Sequence, residues 1–139
     1  MTRPGRPAKN DGIRNVTKVL YIEHDDDNLY MLKMRLERYG DFEVLTAEES
    51  EKGFKLAVTE HPDVILMDLE MLVVDRWEPV RHLKEDSHTR HIPIIGMSAY
   101  ALDSERETAI ATGCDEFDAK PIEFESLVGN IRRLVANPK

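Results

Sequence analysis

From Lys18 onward the chain alternates between short apolar runs and stretches whose apolar residues recur at helical spacing. The runs are "KVLYI", "FEVLTA", "DVILMDL", "IPIIGMSA" and, more weakly, "EFDAK". They are brief and partly β-branched, as suits a pleated backbone, and they predict strands. Between them, Leu29, Leu32 and Leu36, then Phe54, Ala57 and Val58, then Trp77, Val80 and Leu83 fall on single helical faces. A fourth helical stretch, from Asp103 to Thr112, has few large apolar residues. The last is the clearest, with Phe124, Leu127, Val128, Ile131, Leu134 and Val135 forming one stripe. Gly40 and Gly113 stand where the first and fourth helices should stop, and Pro62 where the second should.

Five strand-helix pairs at a pitch of about 25 residues predict repeated βαβ units. The fold class that follows is α/β, a parallel sheet covered by helices on both faces. The unbroken "VILM" before Asp68 fits a central strand buried on both sides. In open sheets of this kind, sites gather beyond the carboxyl ends of the strands, where the strand order reverses. That rule directs attention to the residues that close each apolar run.

Composition narrows the choice of chemistry. A chain of 139 residues suits one domain with a core of its own. The net charge is −8, yet the leader through Lys18 carries Arg3, Arg6, Lys9, Arg14 and Lys18 against Asp11 alone. The body is therefore more acidic than the total suggests, which argues against a nucleic-acid surface. The leader "MTRPGRPAKNDGIRNVT" is rich in Pro, Gly and basic residues without apolar periodicity, so residues 1–17 are expected to be a disordered tail and 18–139 the domain. The lone Cys114 cannot form an internal disulfide and reads as a small buried thiol in a reducing cytoplasm. No apolar run reaches the roughly 18 residues of a membrane span, so a cytoplasmic protein without a membrane contact is expected.

At the strand ends the chain places Glu23 and His24, then Asp68, then Ser98, then Lys120. Carboxylates held close together repel unless a cation joins them. Such oxygen clusters suit Mg²⁺, and a lysine beside them offers a point charge for phosphoryl oxygens. Asp68 is then a candidate nucleophile, because an aspartate can take a phosphoryl group as an acyl phosphate. Metal, Lys120 and the Ser98 hydroxyl would position and neutralise the transferring group.

The stretches "VLYIEHDDDN", "PDVILMDLEM" with Asp75 seven residues past Asp68, "IPIIGMSAYA" and "GCDEFDAKPIEFESL" together resemble the receiver domain of two-component response regulators. The resemblance is to the stand-alone, cell-cycle type in particular, and covers about residues 17 to 136. It implies a flavodoxin-like, doubly wound sheet of five strands in the order 2-1-3-4-5, flanked by five helices. It also implies Asp68 as phosphoacceptor, with Mg²⁺ held by Glu23, Asp68 and the backbone carbonyl of Glu70. Ser98 matches the switch hydroxyl, Phe117 the switch aromatic and Lys120 the phosphate-binding lysine, followed by a cis bond to Pro121. Partners would be a histidine kinase or phosphotransfer protein and a downstream protein target on the surface of helix four, strand five and helix five. The protein would be a phosphoacceptor, with self-catalysed phosphotransfer and dephosphorylation, rather than an enzyme. With no length for an output domain, it should signal through its partners.

Three departures surround this site. His24 occupies the second acidic metal position, Leu72 the place of a proline after Met71, and Arg76 the place of a glycine after Asp75. Magnesium prefers oxygen, so an imidazole at position 24 should weaken it. Arg76 should strain a turn that favours glycine, and its side chain either meets solvent at the surface or reaches into the acidic pocket. Asp25, Asp26 and Asp27 lie beyond the strand, where one of them suits a helix N-cap. Trp77 is expected to pack the third helix, His82, His88 and His91 to face solvent, and Tyr100 to stand at the pocket rim. Two readings of function stand side by side: a phosphorylatable regulator, and a pseudo-receiver that binds partners without phosphorylation.

Overall fold

The structure, a computed structural model, describes residues 16–70, 75, 77–99 and 102–136. Strands and helices alternate: β1 (Thr17–Ile22), α1 (Asp26–Glu37), β2 (Phe42–Ala47), α2 (Ser50–Glu60), β3 (Val64–Asp68), α3 (Glu78–Glu85), β4 (Ile94–Ser98), α4 (Asp103–Thr112), β5 (Glu116–Ala119) and α5 (Phe124–Ala136). Each apolar run and each helical stripe of the sequence has become the element it predicts. β1 takes in Thr17, which the sequence reading assigned to the tail. The rest of that tail lies outside the described residues, save Val16.

The strands form one parallel sheet in the order β2-β1-β3-β4-β5. Chain order runs outward from β1 to β2, then returns to β3 on the other side, so it reverses between β1 and β3. Alternation along the strands divides the core. Val19, Tyr21, Val64, Leu66, Ile95 and Met97 meet α1 and α5 on one face. Leu20, Ile22, Ile65, Met67 and Ile94 meet α2, α3 and α4 on the other. Successive side chains of a strand point to opposite faces, so a strand buried on both sides must be apolar throughout. The central β3 meets that demand from Val64 to Met67 and ends on a buried carboxylate, Asp68.

The helix ends follow local chemistry. Asp25 caps α1, its Oδ1 accepting the Asn28 amide at 3.0 Å, as expected for one of the three aspartates. α4 closes on Gly113, whose φ of 135° is open to glycine and closed in practice to other residues. Trp77, just ahead of α3, packs partly buried against the α2–α3–α4 face of the core. His82 on α3 does more than meet solvent, since its ring stacks on Phe54 of α2 at a centroid distance of 3.9 Å. Among the described residues no helix is long and apolar enough to cross a membrane.

Candidate functional site

The β1–β3 reversal places two carboxylates side by side. Ile22 and Met67 are register partners across the parallel pair, so the next residues, Glu23 and Asp68, emerge together at the carboxyl rim. Both are buried, Glu23 at 1% and Asp68 at 2% exposure. Lys120 follows β5, two strands away from β3. Its Nζ lies 3.2 Å from Glu23 Oε1 and 3.1 Å from Asp68 Oδ1. Residues 97 and 52 positions apart in the chain are thus joined by one ammonium group. The Lys120–Pro121 peptide bond is cis, as expected.

Charge is arranged in opposition. Burial, reinforced by the Asp68 carboxylate, holds the Glu23 carboxyl above the usual range, against the Tyr21 hydroxyl and the Lys120 ammonium. Burial lowers the pKa of Lys120, but the charges of Asp68 and Glu23 outweigh it and the net shift is upward. The buried Tyr21 hydroxyl donates to Glu23 Oε1 at 2.8 Å, and burial followed by that carboxylate pushes the phenol pKa upward. Asp68 Oδ1 also accepts the Glu70 amide at 3.0 Å.

The second oxygens face elsewhere. Asp68 Oδ2 is buried and accepts no hydrogen bond. His24 Nδ1 stands 3.5 Å from it and 3.6 Å from Glu23 Oε2. One donor atom each from Glu23, His24 and Asp68 fits within 4.8 Å. A buried carboxylate oxygen left without a donor is costly, and a cation between these three groups would remove that cost. The donor set therefore fits a divalent ion, through two carboxylates and one imidazole.

Ser98, wholly buried at the end of β4, reaches two other acids: its Oγ is 3.0 Å from both Glu70 Oε2 and Glu105 Oε1. The Ala99 amide donates to the same Glu70 oxygen at 2.7 Å. Phe117 is buried in β5, and its carbonyl accepts from Arg106 Nη1 at 3.2 Å. Asp75 lies outside the cluster, pairing with Arg81 and taking the Trp77 amide at 3.0 Å. Leu72, Arg76 and Tyr100 lie outside the described residues.

Sequence reasoning thus named the residues that meet at the rim, but it missed two of their holders. Tyr21 read only as an apolar strand residue, and the Glu70 side chain was passed over in favour of its carbonyl. Alternation offered a signal for Tyr21: its side chain shares a face with that of Glu23, two residues on.

Among curated proteins, the chain is 30% identical over 114 residues to the polar-differentiation response regulator DivK of Brucella ovis, covering 82% of this chain and 92% of that one. A putative response regulator from Chloroflexus aurantiacus superposes with a TM-score of 0.81 at 23% identity, covering 88% of this chain and all of the other. The receiver domain of a sensor histidine kinase from Pseudomonas aeruginosa, solved with a magnesium ion coordinated in its active site cleft, gives 0.78 at 24% identity, with 88% and 99% covered. Residues 19–132, from β1 into α5, match the response regulator receiver domain, and this chain belongs to that family.

Proposed function

We propose that this receiver domain is a cytoplasmic regulator in which Asp68 accepts a phosphoryl group from a histidine kinase or phosphotransfer protein. The new O–P bond on the Asp68 carboxylate forms as the donor's N–P bond breaks, and the released imidazole nitrogen takes up a proton. The observation that carries this reading is the meeting of Lys120 Nζ with Asp68 Oδ1 at 3.1 Å, beside an Asp68 Oδ2 that has no hydrogen-bond donor. A nucleophile needs an open lone pair, and a transferring phosphoryl group needs fixed positive charge.

Glu23, Asp68 and the Glu70 carbonyl would hold the Mg²⁺ of the family, with His24 in a degenerate ligand position. Bound there, the ion would neutralise charge on the phosphoryl oxygens. Lys120 supplies the opposite clamp. Ser98, which now meets Glu70 and Glu105, would turn to a phosphoryl oxygen once Asp68 is modified, and Phe117 would follow. The output surface would be that of α4, β5 and α5, where Leu102, ahead of α4, and Ile110 within it are exposed.

Incubation with a divalent cation and a small acyl phosphate donor, read by intact mass, tests the reading. The wild-type protein should gain one phosphoryl group and Asp68→Asn none. A protein that stays unmodified while folded would instead be a pseudo-receiver, binding partners independently of phosphorylation.

A further inference from the structure

At the proposed site Lys120 holds one oxygen of each buried carboxylate and the other two turn toward His24, Glu23 Oε2 also accepting the Asp25 amide at 3.3 Å. Lys120 Nζ takes Glu23 Oε1 and Asp68 Oδ1. On the other side, Glu23 Oε2 and Asp68 Oδ2 both turn toward His24 Nδ1, at 3.6 and 3.5 Å. Those separations exceed the usual 2.7–3.2 Å of a hydrogen bond to oxygen. One donor atom each of Glu23, His24 and Asp68 lies within 4.8 Å of the others, close enough for the three to share one ion.

Asp68 Oδ2 is the second, independent sign of an absent ligand, because it is buried and accepts no hydrogen bond. The His24 ring is 42% exposed, which leaves the ion a path from solvent and room for water. Imidazole is a poor ligand for a hard cation and a good one for the first-row transition ions.

We propose that the cation of this site is a first-row transition dication, bound by His24 Nδ1 with Glu23 and Asp68, in preference to Mg²⁺. The inference rests on the phosphoacceptor reading for its location only, since metal binding can be measured without any phosphodonor. Position 24 thereby selects the metal with which the regulator works.

Titration calorimetry of the full chain with Co²⁺ and with Mg²⁺, for wild type, His24→Asp and Asp68→Asn, supplies the test. Oxygen-only sites also favour Co²⁺ over Mg²⁺, so the diagnostic quantity is the ratio of the two dissociation constants. It should fall at least tenfold in His24→Asp, through tighter Mg²⁺ and weaker Co²⁺, and Asp68→Asn should lose the single strong Co²⁺ site. Modulation of the electron spin echo of bound Mn²⁺ should show a directly bound imidazole nitrogen in wild type that disappears in His24→Asp. An unchanged ratio, or nitrogen modulation that survives the substitution, would show that His24 is no ligand and overturn the proposal. Wild type that binds neither ion, beside His24→Asp that binds Mg²⁺, would overturn it too, by making His24 the occupant of the metal's place. Mass gain from a phosphodonor on Asp68 in that same sample would still uphold the phosphoacceptor reading. Circular dichroism of each variant confirms that only folded protein is compared.

Discussion

Lys120 Nζ sits 3.1 Å from Asp68 Oδ1 although 52 residues separate them in the chain. The contact closes the rim of the sheet from β5 to β3 and leaves Asp68 and Glu23 sharing one positive charge. Removing it exposes each buried carboxylate to the other. Lys120→Met should therefore lower the unfolding free energy at pH 7 by about 3 kcal/mol, as for a broken buried pair. Adding Asp68→Asn to that variant should recover part of the loss. Urea unfolding measures both, and an unchanged midpoint in the single variant would separate Lys120 from the carboxylates.

Stability should decline on the alkaline side. The Lys120 pKa is raised above its ordinary 10.5, and burial, with Asp115 next, pushes Cys114 from 9.0 up to about 12. In both cases the folded state holds a proton that the unfolded chain releases at lower pH. Stability then falls as pH rises, because the unfolded state binds fewer protons. The Lys120 contribution is fully present below about pH 10.5 and lost above it, through the raised folded value. The Cys114 contribution is lost between pH 9 and 12. Cys114→Ala should show a shallower decline across that window in urea titrations at successive pH values. A slope equal to that of wild type would contradict the shift.

Two glycines in helices should respond oppositely to alanine. At Gly53 in α2 an added Cβ would meet Ile22 Cγ1 at 2.7 Å, inside the closed core beneath β1. At Gly129 in α5 it would meet nothing within 4 Å. Gly53→Ala should cost about 1–3 kcal/mol by overpacking, whereas Gly129→Ala should stabilise by about 0.5–1 kcal/mol through helix propensity. Thermal unfolding of the pair distinguishes them, and a loss at both would mean that α5 packs more closely than described.

Glu70 places a carboxylate at Ser98 Oγ and the Ala99 amide, the donors that a phosphoryl group on Asp68 would need. It also adds negative charge where an anionic donor must approach. Glu70→Ala should speed phosphorylation by a small anionic phosphodonor about fivefold, the equivalent of the roughly 1 kcal/mol between unit charges at 4 Å in water. The rate of mass gain reports it, and a slower reaction would give Glu70 a supporting part instead.

The sheet and its strand ends were legible because burial on both faces leaves a plain record. "VILM" fits a central strand, and the polar residue that stops such a run then stands at its rim. Long-range convergence was less direct, since nothing local links Lys120 to Asp68; the order of the motifs supplied it through family resemblance. Side-chain direction was not legible. His24 could be named as a departure, but that its Nδ1 faces the two oxygens left by Lys120 depends on where α1 begins, one residue past the Asp25 cap. Likewise, Glu70 and Ser98 lie 28 positions apart and meet only because β3 and β4 are neighbours.

The most direct measurement locates the phosphoryl group. Borohydride reduces an aspartyl acyl phosphate to homoserine, so peptide mapping after treatment with phosphodonor and borohydride marks the modified residue. Homoserine at position 68 in wild type, with no mark in Asp68→Asn, is the predicted result. A mark at Asp25, Asp26, Asp27 or Asp75 instead, or an unmarked chain that has nonetheless bound metal, would contradict the account.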